Sequence, residues 1–190
     1  MFTDEEVLST DGIPLLIRQA VSDDIWAIEQ LIEPSIRVLG GRFYNEAEIE
    51  SSLRFVFGAD TTMIEDGTYM VIAAQQRIIG AGGWSHRWTP FGGDQATPVR
   101  DADFRVPGKD PAIIRAMYVH PDWARRGIGT TIIETCESAA QNAGFLDLEL
   151  VATLSGVAFY ERMGYQKTES IHYVMDDGTT IEFVRMSKPA

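Results

Sequence analysis

Short apolar runs alternate with clusters of turn-forming residues along the 190-residue chain. Runs that are rich in β-branched and aromatic residues and bounded by Gly, Pro, Asn or Asp are typical of β-strands. By this pattern the predicted strands are 13–20, the two arms of a hairpin over 68–87, 112–119, 145–152, 165–175 and 179–187. The polar sequence "QQR" forms the hairpin turn, and "DDGT" joins the last two strands.

Four other segments repeat apolar residues every three or four positions, which indicates helices. The signals that bound them are N-caps at Ser22 and Asn45 and stops at Gly58, Gly144 and Gly164. The resulting order is β, α, α, β, β, β, α, β, α, β, β. This order predicts an α/β (α+β) fold, with helices on both faces of a mixed, mostly antiparallel sheet of six to seven strands.

The segment 88–112 differs from the rest because it is rich in Gly, Pro and Asp. It is long for a loop inside a compact domain, and such loops are often functional. The chain length fits one domain. We therefore interpret 88–112 as a loop insertion in a single domain that spans 1–190.

Composition and charge exclude several classes of function. The formal net charge of −12 argues against nucleic-acid binding, which needs a basic surface. No apolar run is long enough for a membrane span, and the acidic start lacks the features of a signal peptide. The single Cys136 can form no intrachain disulfide, which fits a reducing cytoplasm. The three scattered histidines show no zinc-binding spacing, so no metal is expected.

The sequence "HPDWARRGIGTTIIE", residues 120–134, joins a predicted strand to a predicted helix. The first N–H groups of a helix lack internal partners, and the helix dipole makes that end positive. With Gly127 and Gly129 beside them, these groups suit a pyrophosphate. Ile132 stands where a dinucleotide-binding motif needs a third glycine, and no P-loop string occurs. The turn alone thus leaves two alternatives, a phosphate site or a tight strand–helix connection.

A second segment, "ATLSGVAFYERMGY" at 152–165, favours the first alternative. Together with "ARRGIG" at 124–129, it resembles the GNAT superfamily of N-acetyltransferases, whose cofactor motif is Q/R-x-x-G-x-G/A. The resemblance extends from about residue 14 to 187. Two positions depart from the family pattern: Ala124 replaces Gln or Arg, and Thr153 stands where Asn is frequent.

The resemblance implies acetyl-coenzyme A as the acetyl donor and a primary amine of a small molecule or peptide as the acceptor. It places the pantetheine arm along the strand 112–119 and the pyrophosphate on the amides that follow it. The implied cofactor-binding residues are Met117, Tyr118, Val119, Arg125, Arg126, Gly127, Ile128, Gly129, Thr130, Thr153 and Phe159. Acetyl transfer is then expected by direct attack in a ternary complex.

Transfer also needs an acid for the departing thiolate and an acceptor of the amine's proton. The family's tyrosine position falls on Tyr160, our candidate general acid. The strand 112–119 contains no carboxylate, so the base remains open among His86, Glu149 and a water relay. His120 is interpreted as structural. Arg115 could face either the cleft or solvent.

The acceptor site is expected between the first two helices, the end of the second hairpin arm and the 88–112 insertion. The acidic balance of the chain suits a cationic acceptor, such as a polyamine or a lysine side chain. Two alternatives remain beside the enzyme. One is a non-catalytic acyl-coenzyme A sensor, and the other is a homodimer with a vestigial pocket.

Overall fold

The computed structural model describes residues 4–9, 11–101 and 103–189. Positions 1–3, 10, 102 and 190 lie outside the described residues. The two ends of the predicted domain and one position of the predicted insertion therefore fall there.

The strands and helices follow the predicted order with two additions. The strands are β1 (Glu5–Leu8), β2 (Pro14–Gln19), β3 (Tyr69–Ala74), β4 (Arg77–Ser85), β5 (Ala112–Val119), β6 (Asp147–Thr153), β7 (Gln166–Val174) and β8 (Thr180–Pro189). The helices are α1 (Ile25–Pro34), α2 (Glu46–Phe55), α3 (Thr61–Glu65), α4 (Ile128–Asn142) and α5 (Val157–Arg162). β1 and α3 are the additions, and both are only four or five residues long.

The eight strands form one sheet in the order β1-β2-β3-β4-β5-β6-β8-β7. Neighbouring strands are antiparallel except β5 and β6, which are parallel. The predicted mixed, mostly antiparallel sheet is confirmed, with a strand count slightly above the expected six to seven. Apolar side chains of α4 and α5 pack on one face of the sheet, and those of α1, α2 and α3 pack on the other.

Local backbone chemistry explains the hairpin and one helix start. Gln75 and Gln76 have φ of 49° and 67°, the left-handed conformation that two-residue hairpin turns require. Asn45 caps α2 as predicted: its side chain accepts from Glu48 N at 3.0 Å, and the Glu48 carboxylate accepts from Asn45 N at 2.7 Å. This reciprocal pair satisfies two backbone donors that the helix itself leaves free.

The predicted cap at Ser22 is wrong. Ser22 lies inside a short 3-10 turn, Ser22–Asp24, that precedes α1. The carboxylate of Asp24 instead accepts from Val21 N at 2.9 Å and pairs with Arg18 at 2.6 Å. A carboxylate that is held by a guanidinium is a stronger acceptor than a hydroxyl, which accounts for the shift of the helix start.

Glycines of β4 allow α4 to lie directly on the sheet. A Cβ on Gly80 would come within 2.7 Å of Ile128 Cγ2, and one on Gly82 within 2.5 Å of Ile132 Cγ2. Both isoleucines are fully buried. The start of α4 is thereby fixed against the strand that pairs with β5.

Candidate active site

The parallel pair β5–β6 opens halfway along its length. The strands pair from Ala112 to Ile114 of β5, opposite Leu148 to Leu150 of β6. Beyond these positions β5 stays paired with β4, and β6 stays paired with β8. The result is a V-shaped gap between the second halves of two central strands, which we call the opening.

A β-bulge lies in β5 at the mouth of the opening. The register between β4 and β5 shifts between Ala81 and Gly83, so that two β5 residues oppose Gly82. Ala116 at the bulge has φ of 54°, which is uncommon for a residue with a side chain. The hydroxyl of Tyr69, a fully buried residue of β3, donates to Ala116 O at 2.9 Å.

The edge of β5 that faces the opening is not paired with β6 beyond Ile114. His120 N donates to Ile79 O at 2.8 Å, so His120 and, by alternation, Tyr118 direct their backbone groups toward β4. Val119 therefore points its N–H away from β4. Ser35 Oγ accepts this N–H at a long 3.4 Å. Ser35 begins a π-helical turn, Ser35–Leu39, that extends α1.

The turn before α4 places backbone N–H groups beside the opening. Arg125 and Gly127 have φ of 66° and 84°. Gly127 is the N-cap of α4, and no described side chain caps the helix. The N–H groups of Ile128, Gly129 and Thr130 therefore stand at a positive helix end with no side-chain acceptor. Successive left-handed and helical residues also form the concave amide arrangement that binds anions.

The two arginines of this turn differ in their partners. Arg126 pairs with Asp11 at 3.1 Å and lies over the Trp123 ring at 5.3 Å. Arg125 is exposed and makes no ion pair with any described residue. Arg125 is thus the arginine that remains available to an incoming phosphate.

Tyr160 reaches from α5 across the opening to β5. Its hydroxyl lies 3.6 Å from Met117 Sδ, and its ring packs edge-on against Phe159 and Tyr165. Burial raises the pKa of Tyr160 above its usual range, so the hydroxyl keeps its proton at neutral pH. Phe159 in turn lies against the start of α4, 3.4 Å from where a Cβ on Gly129 would be.

Thr153 lies at the end of β6, close to Tyr160. Its hydroxyl is 3.0 Å from that of Ser155. A Cβ on Gly156 would come within 3.4 Å of Thr153 Oγ1 and 2.9 Å of Tyr160 Cε2. The structure therefore brings Met117, Thr153, Phe159 and Tyr160 together around the opening.

The two candidate bases lie elsewhere. His86 stacks on Phe104 with ring centroids 5.1 Å apart and is 4.0 Å from the Asp66 carboxylate. Burial lowers the pKa of His86. Glu149 lies opposite Ile113, in the paired half of β5–β6, and accepts from Arg105 at 2.6 Å. Among the described residues, neither side chain makes a hydrogen bond or ring contact with Tyr160.

His120 lies at the turn between β5 and α4. Its Nδ1 accepts from Asp122 N at 3.3 Å, and its Nε2 is 2.7 Å from an Arg77 nitrogen. Burial, then the Arg77 charge, lowers the pKa of His120. The neutral imidazole thus acts as a cap and spacer at this turn.

The insertion is held by a buried ion network that the sequence did not reveal. Asp60, fully buried, accepts from Arg115 and, at 2.9 Å, from Arg100. It also caps α3 through Met63 N at 3.1 Å. Arg115 therefore faces the protein interior, where its NH1 donates to Thr89 O of the insertion at 3.0 Å.

The insertion also contacts the chain segment after α2, on the face of the sheet opposite α4. Gly93 N donates to Val56 O and Asp94 N to Ala59 O, both just after α2. Gln95 then lines a groove of about 400 Å³ between α1 and α2. Phe57, which also lines the groove, contacts Tyr118 of β5 edge-on at 6.5 Å. The groove thus abuts β5 just past the bulge.

Comparison with known families agrees with this geometry. A family model described as an acetyltransferase (GNAT) domain matches residues 65–167, more than half of the chain. The chain belongs to this acetyltransferase family, and membership supports acetyl transfer from acetyl-coenzyme A. A comparison with curated proteins gave no match.

Solved structures of similar fold cover nearly the whole chain. A GCN5-related N-acetyltransferase from Rhodopseudomonas palustris is 21% identical with a TM-score of 0.68, covering 92% of this chain and 94% of its own. PaiA N-acetyltransferase from Thermoplasma acidophilum, in complex with coenzyme A, is 15% identical with a TM-score of 0.61, covering 93% and 99%. Ribosomal-protein-alanine N-acetyltransferase from Brucella melitensis is 16% identical with a TM-score of 0.60, covering 92% and 99%.

Two searches of the described residues gave negative results. No cluster of three or more His, Cys, Asp or Glu side chains within them could hold a metal ion. No helix in the same residues combines the length and apolarity needed to cross a membrane.

Proposed function

We propose that this protein transfers the acetyl group of acetyl-coenzyme A to a primary amine by direct attack in a ternary complex. The observation that carries the proposal is the opening between β5 and β6, with Tyr160 across it and the uncapped turn of α4 beside it. In this proposal the α4 turn is the anion site, the edge of β5 is the extended-chain site and Tyr160 is the proton donor, in sequence along one cleft.

The residues around the opening fit the donor substrate. The amides of residues 125–130 would bind the pyrophosphate, with Arg125 adding charge. The edge of β5 at Met117 and Val119, which β6 leaves unpaired, would pair with the amides of the pantetheine arm as an added strand does, and the arm would replace the long 3.4 Å contact between Val119 N and Ser35 Oγ. Thr153 and Phe159 would flank the arm from β6 and α5. Arg126 is committed to Asp11 and Trp123 and would contribute mainly through its backbone.

Tyr160 is our candidate general acid. As the bond between the amine nitrogen and the acetyl carbon forms, the carbon–sulfur bond breaks, and Tyr160 donates its proton to the departing sulfur. Its raised pKa keeps the hydroxyl protonated for this step. The neutral amine loses one proton as the amide forms. Solvent returns a proton to the Tyr160 phenolate, which restores the hydroxyl.

Water is our candidate carrier of the amine's proton. β5 contains no carboxylate near the bulge, and the described partners of Glu149 and His86 lie away from Tyr160. The Glu149 carboxylate is 2.6 Å from Arg105 and 3.7 Å from Arg185, and accepting a proton would weaken both ion pairs. Solvent at the groove can take the ammonium proton before the attack, and the second proton, which leaves the nitrogen as the amide forms, returns through solvent to Tyr160.

The groove between α1 and α2 is the candidate entrance for the acceptor. It lies on the sheet face opposite α4, and Phe57 connects it to Tyr118. Glu33 and Glu50 on its walls both pair with Arg37, while Glu29 makes no ion pair with any described residue. With Arg54 also in the lining, three carboxylates and two guanidinium groups leave the groove one net negative charge, which favours an acceptor with an ammonium group. One structurally similar protein is named for an alanine acceptor on a ribosomal protein.

A thiol-release assay tests the proposed function. The protein is incubated with acetyl-coenzyme A and a panel of polyamines, lysine peptides, alanine-terminated peptides and uncharged amines, and free coenzyme A is read with a chromogenic disulfide. Cys136 is fully buried, so the protein adds little background. Release that depends on an amine, and is faster for cationic ones, is expected. Binding without release across the panel would favour the sensor, and absence of binding would refute the enzyme.

A further inference from the structure

The peptide between Ala116 and Met117 is held in an unusual orientation. Ala116 adopts φ of 54°, a conformation that disfavours residues with a Cβ. Its carbonyl accepts a hydrogen bond from the Tyr69 hydroxyl at 2.9 Å. Burial raises the pKa of Tyr69 well above its usual range, so the hydroxyl remains a neutral donor.

Tyr69 is itself fully buried and closely packed, which suits it as a support for this peptide. It is fully buried in β3, opposite Gly83 of β4. A Cβ on Gly83 would come within 2.8 Å of the Tyr69 ring and 2.5 Å of Met63 Cε, so the ring is closely packed on that side. A closely packed donor restricts the orientation of the carbonyl that accepts from it more than a mobile donor does.

The orientation of the carbonyl determines the direction of the next N–H. The chain has no cis peptide bond in its described part, and in a trans peptide the N–H points opposite to the carbonyl. Tyr69 packs with the α1 and α3 side chains, whereas Met117 packs with the α4 and α5 side chains. The Met117 N–H thus points away from Tyr69, toward the side where the Tyr160 hydroxyl lies 3.6 Å from Met117 Sδ.

We propose that Tyr69 is a positioning residue that aims the Met117 N–H at the oxygen of the acetyl carbonyl. This inference rests on the proposed acetyl transfer. A backbone donor that is already oriented stabilises the negative charge that builds on that oxygen without reorganising during the reaction. Tyr69 itself does not touch the substrate, and its contribution passes through the Ala116–Met117 peptide.

Isotope-edited infrared spectroscopy of full-length protein tests the inference. Acetyl-coenzyme A labelled with ¹³C at the acetyl carbonyl is bound to the wild type, to Tyr69→Phe and to Tyr165→Phe. Tyr165→Phe is the matched control, because it also loses one buried hydroxyl bond, to Glu137 at 3.0 Å, while Lys188 still pairs with that carboxylate at 2.7 Å. Affinity by calorimetry and thermal melting are recorded for all three.

The inference predicts a lowered carbonyl stretching frequency in the wild type and in Tyr165→Phe. Tyr69→Phe should bind acetyl-coenzyme A with unchanged affinity yet lose most of this shift, and its slow hydrolysis of acetyl-coenzyme A should fall about tenfold, less than for loss of a whole oxyanion donor. The same shift in Tyr69→Phe as in the wild type, or an equal loss in both variants, would overturn the inference. Failure of the wild type to bind acetyl-coenzyme A is a different result, which would remove the proposed function and this inference with it.

Discussion

The opening and the insertion lie on adjacent parts of one sheet but are shaped by different chemistry. The opening is shaped by backbone conformation, with positive φ at Ala116, Arg125 and Gly127. The insertion is held by buried side-chain charges, chiefly Asp60 with Arg115, which are 55 positions apart. A backbone conformation depends mainly on a few consecutive residues. An ion pair between distant positions, in contrast, forms only when the fold brings the two side chains together. The opening could therefore be anticipated from local sequence, whereas the ion network of the insertion could not.

Removing the Asp60 carboxylate, which Arg115 and Arg100 share, should have the largest effect on stability. Asp60→Ala leaves Arg115 buried without its counter-charge, and breaking a buried pair in this way costs about 3–5 kcal/mol of unfolding free energy. Urea denaturation measures it. The control is Glu33→Ala, which breaks a solvent-exposed pair with Arg37 and should change the free energy of unfolding far less. Similar losses in the two variants would contradict the role given to the buried network.

Removing the proton donor at the opening should mainly lower turnover. Tyr160→Phe keeps the ring packing but loses the proton for the departing thiolate, and general-acid loss lowers kcat by about 100-fold. Affinity for acetyl-coenzyme A should stay unchanged, because the ring still fills its place beside Phe159. The measurement is steady-state kinetics with the best amine of the panel. Tyr165→Phe, a neighbouring hydroxyl loss, should keep its kcat, and an unchanged kcat in Tyr160→Phe would remove the acid role.

Adding a charge to the α4 turn should weaken donor binding. Gly127→Asp places a carboxylate where the pyrophosphate is expected, and the lost favourable interaction corresponds to roughly a tenfold rise in Kd. Calorimetry with coenzyme A measures it. Gly178→Asp is a close control, because Gly178 has φ of 85° against 84° for Gly127 and open space around it. Both variants carry the same backbone strain, so equal affinities would exclude the turn from the site.

Acidification should have the smallest effect. Burial lowers the pKa of His120 below its ordinary 6.5, so the unfolded chain binds more protons than the folded chain in the window just below that value. The stability from this histidine is thus present above pH 6.5 and declines as pH falls through the window. His120→Gln should flatten the dependence of the urea midpoint on pH. A pH dependence as steep in His120→Gln as in the wild type would contradict the assignment.

Sequence patterns predicted most of the fold because its elements carry local signals. The hairpin turn at Gln75 and Gln76, the cap at Asn45 and the stop at Gly144, which has φ of 90°, each depend on residues a few positions apart. β1 was missed because its four residues, "EEVL", are too short and too exposed to show alternation. The start of α1 was misplaced because Asp24 competes with Ser22 through its pair with Arg18.

The candidate site was predictable only where its residues fall within a short motif. The α4 turn follows β5 directly, so its glycines could be recognised. Tyr69 could not be recognised, because its contact with Ala116 joins residues 47 positions apart. His86 and Glu149 were selected by residue type and by their places on predicted strands. Their partners, Phe104 and Arg105, come from the insertion, whose course no local pattern specifies.

Calorimetric titration with acetyl-coenzyme A tests the central claim most directly. Dephospho-coenzyme A keeps the pyrophosphate and the pantetheine arm, whereas NAD keeps the pyrophosphate but lacks the arm. Our account predicts one site per chain that binds acetyl-coenzyme A and dephospho-coenzyme A and binds NAD far more weakly, because the opening recognises the arm. Equal affinity for NAD, or no binding of acetyl-coenzyme A, would contradict the assignment of the opening as the donor site.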